Sequence, residues 1–154
     1  ACEQDKINSI IVSAVKYRNQ AISILAVLSP FKIFAIIKKP INRYIKQTLH
    51  LTYICTDVNS LQERDGLLKH IVKVEDKLKA LQSPAYRPSQ AVVEAITAIK
   101  DCLKTSFVLT YSDIQKDVTK LADILAKDLL AILQYMQNKV SRIKPFSKTN
   151  SLKT

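Results

Sequence analysis

Glycine occurs once in this chain, at Gly66, tryptophan not at all, and histidine only at His50 and His70. Sheet proteins use glycine in hairpin turns and bulges, so the near absence of it argues against a β architecture. Dinucleotide-binding and phosphate-binding loops need several glycines to bring backbone N–H groups close to a pyrophosphate, and none can be built here. Acidic residues are also short, 13 against 24 lysines and arginines, which leaves a net charge of +11. No run of 18 apolar residues is free of charge. The stretch from Ile7 to Ile37 comes nearest and is interrupted by Lys16, Arg18 and Lys32, so a transmembrane span is not expected.

What is present reads as helix. With 154 residues the chain has the size of one domain, large enough to bury roughly 70% of its unfolded surface. Over residues 5–28, Ile7, Ile10, Ile11, Ala14, Ala21, Leu25 and Leu28 recur at helical steps. A short element follows between Pro30 and Pro40. The pattern then predicts helices over 41–64 (Ile41, Tyr44, Ile45, Leu49, Leu51, Cys55, Val58), over 67–82 after a break at Asp65-Gly66, and from Pro88 (Val92, Ala95, Ile96, Ile99, Cys102, Leu103, Phe107). A final helix begins with Ser112 and Gln115 as a capping box and carries Ile114, Val118, Leu121, Leu125, Leu129, Ile132, Met136 and Val140. It is expected to end among Lys139, Arg142 and Lys144, before Pro145. The expected fold is all-α, a single antiparallel bundle of four to five helices over 1–145, with a basic, flexible tail over 146–154.

Three cysteines allow one disulfide and one leftover thiol. Cys55 and Cys102 lie two-thirds along helices that run parallel in an up-down bundle, and both fall on apolar stripes, so the favoured bridge is Cys55–Cys102. Two buried free thiols are the plainer alternative. Cys2 is then unpaired and could link two copies into a dimer; a Cys2–Cys55 bond is disfavoured by its separation along the helix axis. The chain begins Ala1-Cys2-Glu3-Gln4 rather than with Met, as after cleavage behind small residues, and is therefore read as a secreted, extracellular protein.

No catalytic constellation is visible. His50 lies five residues from Cys55, which is not a same-face spacing, and Asp113, Asp117, Asp123 and Lys127 are spaced as a solvated helix face is. Two histidines twenty residues apart, without C-x₂-C or H-E-x-x-H, give no metal site. No enzyme activity, cofactor or metal is expected.

Two features point to binding. Lys32, Lys38, Lys39, Arg43 and Lys46 form a basic segment with no acid between residues 31 and 50, and Lys139, Arg142, Lys144, Lys148 and Lys153 form a second. Such patches favour anionic partners: an acidic extracellular protein, an anionic polysaccharide or an anionic lipid surface. Nucleic acid is disfavoured because arginine, which reads bases, is scarce among the cations. Alternatively, the lysines only keep an apolar bundle soluble. The second feature is Phe31, Ile33, Phe34, Ile36 and Ile37, either a lid on the core or an apolar wedge with a cationic collar, suited to a membrane interface or the mouth of a ligand cavity. The leading expectation is a secreted binding protein or effector. The alternative is a carrier of a hydrophobic or lipid ligand between helices, and the third a cytokine-like ligand.

Residues Ala98-Ile99-Lys100-Asp101-Cys102-Leu103, followed by Tyr111, resemble one helix of the plant pectin methylesterase inhibitors, whose remaining cysteines have no counterparts here. In size and basic helical character the chain is similar to short-chain helical cytokines. Its isoleucine- and lysine-rich, disulfide-poor style is similar to secreted effectors of invertebrate saliva or venom. These are likenesses of class and assign no residue a role.

Overall fold

Period-3.6 patterning becomes helix along the chain in a computed structural model that describes residues 2–105 and 110–153, with side chains described except at Cys2, Val58 and 143–153. The order is α1 (Cys2–Leu28), a 3₁₀ turn (Lys32–Phe34), α2 (Lys38–Thr56), α3 (Val58–Gln62), α4 (Arg64–Lys79), α5 (Gln90–Thr105) and α6 (Tyr111–Lys153). No strand occurs among the described residues. The all-α expectation is met, with six helices packed together among the described residues.

The helix boundaries differ from the sequence reading in four places. The helix expected over 41–64 is two, because Asp57 leaves the helical region (φ −95°, ψ 102°) and caps α3, accepting from the Asn59 N–H at 3.2 Å and the Ser60 hydroxyl at 2.7 Å. The next break is at Glu63 (φ −100°, ψ 103°) rather than at Asp65-Gly66, which sit inside the first turn of α4. Gly66 there leaves room for the exposed Glu63 side chain, which could swing away from a larger residue. A Cβ on it would stand 2.6 Å from Glu63 Oε2, since the Glu63 side chain folds over the helix start. The capping box of α6 lies two residues earlier than expected. Thr110 Oγ1 accepts from the Asp113 N–H at 3.2 Å, and Asp113 Oδ2 accepts from the Thr110 N–H at 3.4 Å. Ser112 and Gln115 are therefore already helical, and Gln115 is buried, donating from Nε2 to the Cys55 carbonyl at 3.2 Å. At its far end α6 continues through Pro145 to Lys153, beyond the expected stop, although proline removes one backbone hydrogen bond from a helix interior.

Cross-helix contacts give the directions. Glu3 faces Lys116, the Ser13 hydroxyl donates to Asp123 at 2.8 Å, and Lys127 stands over the Tyr17 ring, so α1 and α6 run the same way. Tyr44 meets Asp128 while Cys55 meets Gln115, so α2 runs against α6. The most extensive packing is between α1 and α6. Both helices bury small residues, Ala14 and Ala21 on one and Ala122 and Ala126 on the other, and small side chains let helix axes approach closely. Leu121, Leu125, Leu129 and Leu133 of α6 run down the centre of one continuous core. Each such leucine contributes about 1.5–3 kcal/mol by leaving water. Phe107, assigned to the inner face of the fourth predicted helix, lies outside the described residues.

Candidate functional site

The basic segment of α2 is folded against α4 and lines a concavity of about 520 Å³, bounded by Ala35, Lys38, Lys39, Asn42, Arg43, Lys46, Gln47 and Lys77. Four of the five predicted patch residues are there. Lys32 is exposed but does not line it. Residues 39, 43 and 46 share one side of α2 because they are four and three apart. Moving from residue 50 back to 42 on α2, the facing residues on α4 advance from 70 to 77, which brings Lys77 into the site.

Five cations and no carboxylate line this groove. None of the five makes an ion pair among the described residues, whereas Lys100 and Lys79 meet Glu75 at 2.7 and 3.5 Å and Lys127 meets Asp123 at 2.8 Å. At Glu75, burial pushes the carboxyl pKa up, but the Lys100 ammonium and then Lys79 outweigh it and hold the group below the usual carboxylate range. The groove charges thus have no carboxylate among the residues that line the groove. Their position adds to the imbalance, because Lys38 and Lys39 occupy the first turn of α2, whose start has no acidic residue and no side-chain cap. The positive end of a helix dipole prefers anions, so two lysines there cost stability that a bound anion would restore.

Beyond the groove the α2–α4 seam carries a histidine pair, His50 Nε2 to His70 Nδ1 at 3.1 Å with ring centroids 5.0 Å apart. One nitrogen must donate and the other accept, so the pair holds at most one extra proton without losing the bond. Burial, then His70, then Lys73 lower the His50 pKa from the ordinary 6.5. The unfolded chain therefore takes up a proton that the folded chain resists. Stability from neutral His50 is complete above about pH 6.5 and falls as pH drops below it toward the folded-state value. The melting temperature should decline between about pH 7 and pH 5, and His50→Gln should flatten that slope. Equal slopes in the two proteins would show that other groups carry it. Glu75 titrates lower, its stabilisation being lost as pH falls below the ordinary carboxylate value of 4.5.

The apolar segment divides by face. Phe34 is buried and Phe31 and Ile37 pack against the core, while Ile33 is 60% and Ile36 84% exposed. Phe31, Phe34 and Ile37, three apart, thus cover the core, and the two remaining isoleucines face away from them. For the carrier reading, the concavity of about 510 Å³ between the end of α4 and the start of α5 has an apolar floor of Leu78, Leu81, Val92 and Ile96, with Glu75, Lys79 and Arg87 also lining it.

The expected Cys55–Cys102 bridge is not formed, and both are free thiols. The height argument holds, since each meets the same turn of α6: Cys55 beside Gln115 and Thr119, Cys102 beside Ile114, Asp117 and Val118. What fails is azimuth, as the two cysteines pack on different faces of α6. Burial pushes the Cys55 thiol up to about 11, against a smaller opposing pull from Thr119. Cys55 should stay unmodified when the native protein is treated with iodoacetamide at about pH 8 and react fully once unfolded; a cross-linked 55–102 peptide in a non-reducing digest would overturn the free-thiol assignment. Cys2 lies outside the described side chains. In the C-terminal basic cluster Lys139 stands over the Tyr135 ring and Arg142 is exposed, while Lys144, Lys148 and Lys153 lie outside the described side chains.

Among the described residues no group of three or more His, Cys, Asp or Glu could hold a metal ion, and no helix is long and apolar enough to cross a membrane. Sequence reasoning missed Lys77 and the His50–His70 pair. The signal available was the spacing of His70, Lys73 and Lys77 on one helix face. In comparison with known proteins, no family model matches the chain, and no curated protein or solved structure matches it either.

Proposed function

We propose that this protein is a non-enzymatic binding protein that engages a clustered anion on a macromolecular partner, holding it in the groove formed by Lys38, Lys39, Arg43, Lys46 and Lys77. The observation that carries the reading is that five cations converge from two helices on one concavity with no carboxylate in its lining. Cations that served only solubility would be interspersed with acids, whereas this lining holds none. Its action outside the cell, expected from the sequence, belongs to the same proposal.

The test is titration with a soluble polyanion such as dextran sulfate at several salt concentrations. Affinity should fall steeply as salt rises, because exposed charges are screened within about 8 Å at physiological ionic strength. Charge reversal at Lys38, Lys39 and Arg43 should reduce both the affinity and its salt dependence. Unchanged values for that variant would refute the proposal.

A further inference from the structure

The groove has an apolar neighbour that a soluble polyanion would leave unused. Ile33 and Ile36 are 60% and 84% exposed, three residues apart on the outer side of the segment that closes this end of the bundle. Exposed Lys32 precedes Ile33 in the chain, and Ile36 follows Ala35 and comes two residues before Lys38, both of which line the groove. The apolar tip and the cationic site are therefore one continuous surface. The segment is also anchored: Phe34 is buried, Phe31 and Ile37 pack on the core, and the turn is closed by the Phe34 N–H to the Phe31 carbonyl at 3.0 Å and the Ala35 N–H to the Lys32 carbonyl at 3.1 Å. Its two outward side chains are thus presented by a fixed backbone.

We infer that this surface docks on an anionic lipid bilayer, with Ile33 and Ile36 entering the acyl boundary and Lys32, Lys38, Lys39, Arg43 and Lys46 meeting the phosphates above them. The inference rests on the anion-binding reading and names its partner. A bilayer presents anions in a plane with hydrocarbon 5–10 Å beneath, about the depth to which amphipathic surface elements bury. That layering matches two exposed isoleucines flanked along the chain by Lys32, Lys38 and Lys39. A polysaccharide has no apolar layer to receive them. The absence of acids from 31–50 removes the repulsion that would keep this end away from a negative surface.

Flotation with vesicles tests it. The full-length protein is mixed with vesicles of phosphatidylcholine alone, or of phosphatidylcholine with about 30% phosphatidylserine, and dextran sulfate binding is measured in parallel. The wild type should float with the anionic vesicles and not with the neutral ones. Ile33→Ser/Ile36→Ser should weaken vesicle binding about tenfold or more while leaving dextran sulfate binding intact. Both positions are exposed, so the variant should keep the wild-type circular dichroism and melting curve. Vesicle binding by the double variant equal to wild type would overturn the inference, as would charge-dependent dextran sulfate binding without any flotation; in both cases the anion-binding reading stands. Equal flotation on neutral vesicles would also overturn the inference, and binding to neither probe would sink both it and the anion-binding reading.

Discussion

Replacing Lys38, Lys39 and Arg43 together by glutamate should weaken binding to a clustered anion by at least about 100-fold and leave the protein as stable as before or slightly more so. A cation near an anionic surface contributes roughly 1 kcal/mol, so neutralising three removes about two decades of affinity, and reversal adds repulsion. Stability moves the other way for two reasons. Each substitution relieves repulsion among five like charges that no carboxylate offsets. Glutamates at positions 38 and 39 would also stand in the first turn of α2, where acids interact favourably with the helix dipole by about 0.3–1 kcal/mol each. All three side chains are exposed, so no packing is lost. The combination separates function from architecture: if the lysines served only the fold, the variant would lose stability, and if only solubility, its affinity for dextran sulfate would match wild type. Thermal melting and the polyanion titration, on the same preparation, read both.

The parts of this molecule legible in its sequence are those decided along one helix. The inward stripes on α1, α2, α5 and α6 follow from 3.6-residue periodicity except at Leu49, assigned to the inner face of α2 but 44% exposed, and Lys39, Arg43 and Lys46 could be placed together because α2 alone puts them on one side. Breaks were harder, since Asp57 and Glu63 look like ordinary exposed acids until their backbone turns extended. At the start of α6 two capping boxes are written two residues apart, Thr110 with Asp113 and Ser112 with Gln115; the second yields because Gln115 is buried against Cys55. Features that need two helices stayed hidden. Lys77 joins the groove, and His70 meets His50, only through the pairing of α4 with α2. The cysteines show the division most clearly, as their common height was readable from position along the chain, while the side of α6 on which each packs was not.

That pairing depends on how α2 is seated, and Tyr44 is the residue that seats it. Its ring is fully buried, and its hydroxyl donates to Asp128 Oδ2, which also accepts the Ser89 N–H at 3.2 Å. Helix α2, helix α6 and the connection into α5 thus share one carboxylate. Burial, then the charge of Asp128 and its hydrogen bond, raise the Tyr44 pKa well above the ordinary value, so the phenol remains a donor at any pH at which the protein is handled. Tyr44→Phe removes the donor, leaves the carboxylate with the Ser89 amide, and should cost about 1–3 kcal/mol. For a chain of this size that is a fall of about 3–9 °C in melting temperature. Tyr44→Ala adds a cavity and should cost about 3–5 kcal/mol. Asp128→Ala leaves a buried hydroxyl without its acceptor and should cost about 1–3 kcal/mol. Because Tyr44→Phe and Asp128→Ala break the same bond, the double variant should be less destabilised than the sum of the singles by about 0.5–3 kcal/mol. Strict additivity in denaturant titrations would mean that the bond contributes nothing. In Tyr44→Phe, where the ring still fills its site, Lys77 should remain opposite Arg43 and Lys46, and affinity for dextran sulfate should stay within about twofold of wild type at temperatures where the variant is folded. In Tyr44→Ala, α2 loses its largest buried side chain, the two walls of the groove lose their register, and affinity and stability should fall together.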